Sequence, residues 1–160
     1  MNLVEALIAA QPLQPETLSL PCVCIFPSDS PLAPKDCIAP DDLAEQRVIG
    51  IHDSNKVDRQ VREVCAAAGI KIRPSIHGFF FAVVRRMVAE GAGGAIVDAL
   101  NGCLLLNDGV NWRPFAPEIR YETALIVKAT IEPSLPARSF IRMIRDEMRI
   151  RLALPDIAPL

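Results

Sequence analysis

This 160-residue sequence lacks long hydrophobic runs and has no excess of basic residues. No apolar run approaches the ~20 residues that a membrane-spanning helix needs, and the first residues carry no basic segment of the kind that opens a secretory signal. The formal net charge of -2 argues against a basic nucleic-acid-binding surface spread over these residues. We therefore expect a cytoplasmic protein that does not bind a membrane and does not bind DNA through this part of the chain.

The sequence also lacks a cysteine framework, because its five cysteines are an odd number without regular spacing: Cys22, Cys24, Cys37, Cys65 and Cys103. Reduced thiols of a cytoplasmic protein account for such a pattern. Cys22-x-Cys24 could ligate a metal, since alternation along a strand puts both side chains on one sheet face. Only Cys37 and two distant histidines could complete the site, so we expect no metal and no cofactor.

Half of the sequence is apolar (51%) and 22% is charged, which is typical of one globular domain with a real core. Apolar runs bounded by proline, glycine or polar residues predict strands over 21–27, 48–51, 70–73, 95–97, 110–115 and 123–129. Helical spacing of apolar residues predicts helices over 57–68 and 79–90, a short turn over 40–45, and a last helix that begins at the N-cap Ser134. Helices that alternate with strands indicate an open, mostly parallel α/β sheet flanked by helices.

Two short motifs contain residues typical of enzymes, but neither has the arrangement that the corresponding catalytic or phosphate-binding site requires. Gly91-Ala92-Gly93-Gly94 ends a predicted helix and precedes a strand, whereas a phosphate-binding loop needs the reverse order so that helix N-terminal amides face the anion. His52-Asp53-Ser54 contains the residue types of a hydrolytic triad, but adjacent residues do not converge on one point and no nucleophile elbow is present. Neither motif predicts catalysis.

His77 and Asp98 are the polar residues best placed for a ligand. His77 lies between a predicted strand and a helix entered through Gly78, and Asp98 ends the strand 95–97. Ligands of open α/β sheets bind outside the carboxyl ends of the strands. Two alternatives stay open, an ordinary turn position for His77 and a capping role for Asp98 or Asn101.

Phe79-Phe80-Phe81 cannot pack into the core as a unit, because three successive helical residues sweep about 200° around the axis. At least one of these rings is expected to face a groove or a partner.

Several segments occur in an order that resembles the C-terminal part of LysR-type transcription regulators. The resemblance runs from Leu3 to Met148 and rests on the following segments: Ser30-Pro31-Leu32-Ala33, Asp42-Leu43 before Val48-Ile49-Gly50, Ala67-Ala68-Gly69-Ile70, Met87-Val88-Ala89-Glu90-Gly91-Ala92-Gly93-Gly94-Ala95-Ile96, Val110-Asn111-Trp112-Arg113-Pro114-Phe115, Leu125-Ile126-Val127, and 134–144 with Ala137 and Phe140. Ser30 stands where the family usually has histidine, so a role for that side chain does not carry over.

The resemblance implies a partial effector-binding domain with one subdomain of a type 2 periplasmic-binding-protein-like fold. Residues of about 18–130 would form the second regulatory subdomain, and 1–17 with 131–160 would belong to the first. The family's winged helix-turn-helix, its linker helix and most of the first subdomain have no counterpart in these 160 residues. The resemblance therefore implies DNA binding only through an N-terminal domain that is absent here.

The resemblance also implies a small-molecule effector as the partner. We expect the wall of its pocket to come from strand ends, at Ser28, His77, Gly78, Phe79 and Asp98. Arg113-Pro114-Phe115 and Ala95-Ile96-Val97-Asp98 look closest to the opine- and basic-amino-acid-responsive branch, which makes an amino acid or an opine the candidate effector. No catalytic residue is implied.

Apolar surface near the predicted first-subdomain residues favours self-association, so we expect a homo-oligomer. Three alternatives remain: a stand-alone solute-binding protein, which a signal peptide would indicate; an enzyme built on His77 and Asp98; and an oligomerisation module without a pocket. Binding without turnover of a metabolite would separate the sensor from the enzyme.

Overall fold

The computed structural model describes residues 13–52, 55–104, 106–128 and 132–152. Within these ranges the strands are β1 (Leu13–Pro27), β2 (Ile49–Ile51), β3 (Ile76–Gly78), β4 (Ala95–Asp98), β5 (Val110–Pro114) and β6 (Arg120–Lys128). The α-helices are α1 (Lys56–Ala67), α2 (Phe81–Ala89), α3 (Ala99–Gly102) and α4 (Leu135–Leu152), and a 3-10 turn spans Pro40–Leu43. The chain divides into two compact units, Leu20–Tyr121 and Met1–Ser19 with Glu122–Leu160. The fold is therefore α/β with helices flanking sheets.

The larger sheet has the order β4-β1-β5, with β6 also paired to β1. β1 runs antiparallel to both β4 and β5, with Cys22 opposite Asp98 and Ile25 opposite Trp112. β2 and β3 form a separate parallel pair in which Ile51 lies opposite Gly78. The predicted mostly parallel sheet is thus not confirmed. A fully buried run such as 22–26 reads the same in either orientation, so its pattern carries no information about strand direction.

The core explains why residues 22–26 of β1 show no polar alternation, because both faces of this part of the strand are buried. Cys22, Cys24 and Phe26 belong to a cluster that also contains buried residues of α1. Val23 and Ile25 lie on the opposite face, where a Cβ on Gly102 would overlap Val23 and come within 3.4 Å of Ile25. A side chain at residue 102 would therefore push α3 away from the sheet.

Helix α1 begins and ends within one residue of the predicted bounds, 57–68. The Asn55 side chain caps its N-terminus by accepting a hydrogen bond from the Val57 amide at 2.9 Å. Gly69 follows the helix with φ of +78°, in the left-handed region that favours glycine. The buried Asp58 carboxylate accepts a hydrogen bond from the Ile51 amide at 3.0 Å and pairs with Arg62 at 2.9 Å, which fixes α1 to the end of β2.

Several elements differ from the predictions. β6 begins at Arg120, three residues earlier than predicted, and β3 spans Ile76–Gly78 in place of the strand predicted over 70–73. Residues 70–73 form no strand; Ile70 and Ile72 pack against the core, so their alternation reports burial without strand pairing. Helix α2 begins at Phe81, two residues later than predicted, because Phe80 has extended backbone angles (φ -122°, ψ 140°). β1 begins at Leu13 and passes through Pro21, which was predicted to bound the strand.

The last helix, α4, begins as predicted. The Ser134 hydroxyl accepts a hydrogen bond from the Ala137 amide at 3.4 Å, and Leu135, Phe140 and Met143 are exposed large apolar residues. Among the described helices, none combines the length and the apolar character that crossing a bilayer requires. The apolar run 3–10 of the sequence lies outside the described residues.

Candidate effector site

The carboxyl ends of β3, β2 and β4 meet at one edge. β3 and β2 are parallel, and a parallel bridge between Val48 and Gly94 aligns β2 with the start of β4. The Ile49 amide donates to the Gly94 carbonyl at 2.8 Å across this bridge. His77, Gly78 and Phe79 at the end of β3 and Asp98 at the end of β4 therefore share one edge of the fold, as the sequence predicted from strand ends.

Ser28 does not join these residues. It follows β1, which runs antiparallel to β4, so it lies at the edge where β4 begins and Asp98 lies at the other. Its amide donates to the Gly109 carbonyl at 2.8 Å, just before β5 starts. The expectation that all five residues form one wall is therefore corrected for Ser28, because the prediction assumed that β1 runs parallel to its neighbours.

His77 is exposed on β3, and its ring lies against the backbone of Gly50 on β2. A Cβ added to Gly50 would come within 2.6 Å of His77 Cδ2 and 2.8 Å of Nε2. Gly78 is buried, and a Cβ there would overlap the Val84 side chain of α2. Both glycines are needed for close packing, which holds the imidazole at the strand end while leaving it accessible.

Phe79 and His52 form an aromatic pair at this edge. Their ring centroids are 4.2 Å apart, and Phe79 remains 64% exposed. Phe80 is also exposed, whereas Phe81 packs edge-on against Tyr121 at 5.3 Å. This confirms that the three phenylalanines do not pack into the core as a unit.

His52 is the residue that the sequence reasoning missed. In the sequence it stands out only as part of His52-Asp53-Ser54, of which Asp53 and Ser54 lie outside the described residues. Its position directly after β2 was a usable signal, because a residue that follows a parallel strand lies at the carboxyl edge.

Asp98 adopts the capping role that the sequence had left open. It is 1% exposed and is the N-cap of α3, and its carboxylate accepts from the Asn101 amide at 3.2 Å and from Asn101 Nδ2 at 2.8 Å. Burial raises the pKa of this carboxyl, although the hydrogen bonds from Asn101 oppose the shift. Both carboxylate oxygens of Asp98 already accept hydrogen bonds from Asn101, so its main role at this edge is to hold the start of α3. A contact between Asp98 and a ligand stays a prediction.

The cysteines near this edge are poor nucleophiles. Burial, reinforced by the Asp98 carboxylate, raises the pKa of both Cys22 and Cys103 to about 12. Cys22 and Cys24 share one buried cluster, while Cys37 is exposed. In the part of the chain that is described, no three His, Cys, Asp or Glu side chains come together as a metal site.

Residues 7–149 match the family described as LysR substrate binding domain. This chain belongs to that family.

Its relatives are transcription regulators. The chain is 27% identical over 111 residues to the transcriptional activator protein LysR of Escherichia coli (strain K12), covering 69% of this chain and 36% of that protein. Two solved structures share the fold. HinK, a LysR family transcriptional regulator from Pseudomonas aeruginosa, has a TM-score of 0.63 at 17% identity, over 85% of this chain and 48% of that one. The Synechocystis PCC6803 CcmR regulatory domain, solved in complex with 2-PG, has a TM-score of 0.61 at 16% identity, over 84% of this chain and 66% of that one. The chain therefore spans about a third to two thirds of the length of these relatives.

Proposed function

We propose that this chain senses a small-molecule effector as part of a LysR-type transcription regulator and does not transform it. The observation that carries the proposal is the convergence of His77, Gly78 and Phe79 with Asp98 at one carboxyl edge, in a chain of the substrate-binding family. The complex of the CcmR regulatory domain with 2-PG supports a small-molecule ligand for this fold. Residues of about 18–130 would act as the second regulatory subdomain.

The edge offers an accessible imidazole and an aromatic ring. His77 and Phe79 are exposed, and no side chain caps the N-terminus of α2 at Phe80, so first-turn amides there are available as donors. A ligand with a planar or apolar part and an anionic group could contact the imidazole, the aromatic ring and the first-turn amides together. An amino acid or an opine meets this description through its carboxylate.

The effector would act by binding one arrangement of the regulator better than another. In the complete regulator we propose that this arrangement is a closure of two regulatory subdomains, and that a winged helix-turn-helix outside these 160 residues contacts DNA. The effector can shift the equilibrium between the two arrangements only by as much as its affinities for them differ.

Amide chemical-shift mapping of the chain tests the sensing proposal, because it detects millimolar affinity. We expect L-arginine, L-lysine or octopine to shift the amides of Gly78, Phe79 and Asn101, and ligand signals to stay unchanged over hours because no turnover occurs. The substitutions His77→Ala and Phe79→Ala should each weaken binding about tenfold, which corresponds to 1.4 kcal/mol, whereas Lys71→Gln, at an exposed position outside this edge, should not. The proposal would be contradicted if saturating ligand left the amide chemical shifts at this edge unchanged. It would also be contradicted if all variants bound the ligand with equal affinity.

We also propose that a second copy of the chain covers the apolar surface of the β3–α2 segment. Phe80 and Val83 of this segment are 69% and 46% exposed, and exposed apolar patches mark interaction sites. Phe79 stays outside this interface, because its ring belongs to the effector site.

Sedimentation velocity tests this interface. We expect a dimer whose dissociation constant rises at least tenfold in Phe80→Glu, because burying a charge at the centre of an apolar interface is costly. Leu106→Glu, at another exposed apolar position (53%), is the control and should leave association unchanged. If the chain is still a monomer at about 100 μM, the dissociation constant of the dimer lies above that concentration. This result would refute the proposed interface.

A further inference from the structure

A groove of about 280 Å³ opens at the edge opposite to the candidate effector site. It lies where β1 ends and β4 begins, and all of its lining residues belong to the unit Leu20–Tyr121. Its volume is close to the lower end of the roughly 300–1,000 Å³ that small-molecule sites occupy. The groove is thus large enough for a metabolite with few heavy atoms.

The floor of the groove is apolar and rigid. Phe26, Leu32 and Leu43 lie at its base, and each is no more than 3% exposed, while the more accessible Pro27, Pro31 and Val48 complete the apolar lining. The Ser30 hydroxyl accepts a hydrogen bond from the Leu32 amide at 3.3 Å, which holds the turn that forms one wall. A short aliphatic group would be the best match for this floor.

Two opposite charges line the same groove without neutralising each other. Asp29 is exposed, and within the described ranges it has neither a hydrogen bond nor an ion pair. Arg47 donates from Nη2 to the Gly91 carbonyl at 3.1 Å, and no carboxylate of the described residues pairs with its guanidinium. The hydrogen bond orients the guanidinium, whose remaining N–H groups can donate to both oxygens of a carboxylate.

We propose that this groove binds a small zwitterion of the α-amino acid type with an aliphatic side chain. Its ammonium group would face Asp29, its carboxylate Arg47, and its side chain the floor formed by Phe26, Leu32 and Leu43. This site is distinct from the candidate effector edge, because β4 separates the two: Gly94 precedes the strand and Asp98 ends it.

A methyl-resolved NMR titration of the whole chain tests this site with three probes. L-Leucine carries both charges, 4-methylpentanoate lacks the ammonium group, and 3-methylbutylamine lacks the carboxylate. We expect L-leucine to shift the methyl signals of Leu32, Leu43 and Val48, and each half-ligand to bind about fivefold to tenfold more weakly, since a charged hydrogen bond at a partly exposed site is worth about 1 kcal/mol or slightly more.

Variants assign each charge to its partner. Asp29→Asn should weaken L-leucine about fivefold to tenfold and leave 4-methylpentanoate unchanged, and Arg47→Gln should weaken L-leucine and leave 3-methylbutylamine unchanged. Arg47→Lys keeps the positive charge but loses the planar pair of donors. Its affinity for L-leucine should lie between that of the unchanged chain and that of Arg47→Gln. Asp36→Asn and Arg73→Gln, at exposed positions outside the groove, are the matched controls.

Three results would overturn the proposal: no methyl shifts at saturating L-leucine, equal affinity of all three probes, or loss of binding in His77→Ala with Asp29→Asn unaffected. The last result would place the ligand at the effector edge instead. Because His77→Ala should leave L-leucine binding in the groove unchanged, the groove and the effector site can fail independently.

Discussion

Replacing Arg85 by methionine is expected to lower the free energy of unfolding by about 3 kcal/mol, the lower end of the cost of removing one partner from a buried ion pair, because the Asp108 side chain is 21% exposed. Arg85 lies on α2 and is 4% exposed. Its Nε and Nη2 donate to the two carboxylate oxygens of Asp108 at 2.9 and 3.0 Å. Nη1 and Nη2 also donate to the carbonyls of Asn101 at 3.2 Å, Gly102 at 2.8 Å and Leu104 at 3.1 Å. Methionine would remove all five of these hydrogen bonds, and of the acceptors only the Asp108 carboxylate would keep a described donor, the Val110 amide.

Arg86→Met is the control for this substitution. Arg86 is the next residue on α2, but its side chain is 73% exposed and pairs with the exposed Glu90. An exposed pair of this kind contributes at most about 1 kcal/mol. Chemical denaturation at pH 7 compares the two variants, and a loss in Arg85→Met no larger than that in Arg86→Met would contradict the buried role of Arg85.

The effect of Arg85→Met should also depend on pH. Burial raises the pKa of Asp108, but the hydrogen bonds and charge of Arg85 outweigh it and hold that pKa below the usual 3.8. Because the folded-state pKa is depressed, the stabilisation is present above the unfolded-state pKa and is lost as the pH falls through the folded-state value. Arg85→Met should therefore cost less below the folded-state pKa than at pH 7, and an equal cost at both would contradict this origin.

Gly93→Ala is expected to lower the free energy of unfolding by about 3 kcal/mol, the sum of a backbone term and a steric term. Gly93 has φ of +149°, which an L side chain rarely adopts. A Cβ there would also overlap the carbonyl oxygen of Arg47, and the Gly94 amide donates to that same carbonyl at 2.8 Å. The new methyl group would therefore separate β4 from the residues that precede β2.

Gly69→Ala isolates the backbone term. Gly69 has φ of +78° and nothing within 4 Å of an added Cβ, so its substitution should cost only about 1–2 kcal/mol. Urea denaturation of both variants measures the difference between the two terms. Equal losses would mean that the contact with Arg47 relaxes without cost.

The sequence predicts those parts of the fold that depend on local patterns. Val57, Val61 and Cys65 fall at helical spacing and are all buried, and the cap at Ser134 and the turn at Gly69 follow from local backbone chemistry. The strand at 95–97, which in the structure includes Asp98 as its last residue, was also predictable, because a buried apolar run ends there at a polar residue.

The parts that the sequence could not predict depend on long-range geometry. Ser28 was assigned to the wrong edge because the direction of β1 relative to β4 leaves no mark on a strand buried on both faces. The partnership of Arg85 with Asp108 joins residues that are 23 positions apart, and a charged residue on a helix usually indicates a solvent-facing position. The groove lined by Asp29 and Arg47 arises in the same way, from segments that only the fold brings together.

Trp112, which lies opposite Ile25 in the sheet, is an intrinsic fluorescence probe. Trp112 is the single tryptophan of the chain and lies on β5, whose first residue, Val110, donates its amide to the Asp108 carboxylate at 3.3 Å. Indole emission therefore reports on the strand that the Arg85–Asp108 pair anchors. Loosening of that anchor can be followed in unlabelled protein, separately from the loss of helix that circular dichroism records.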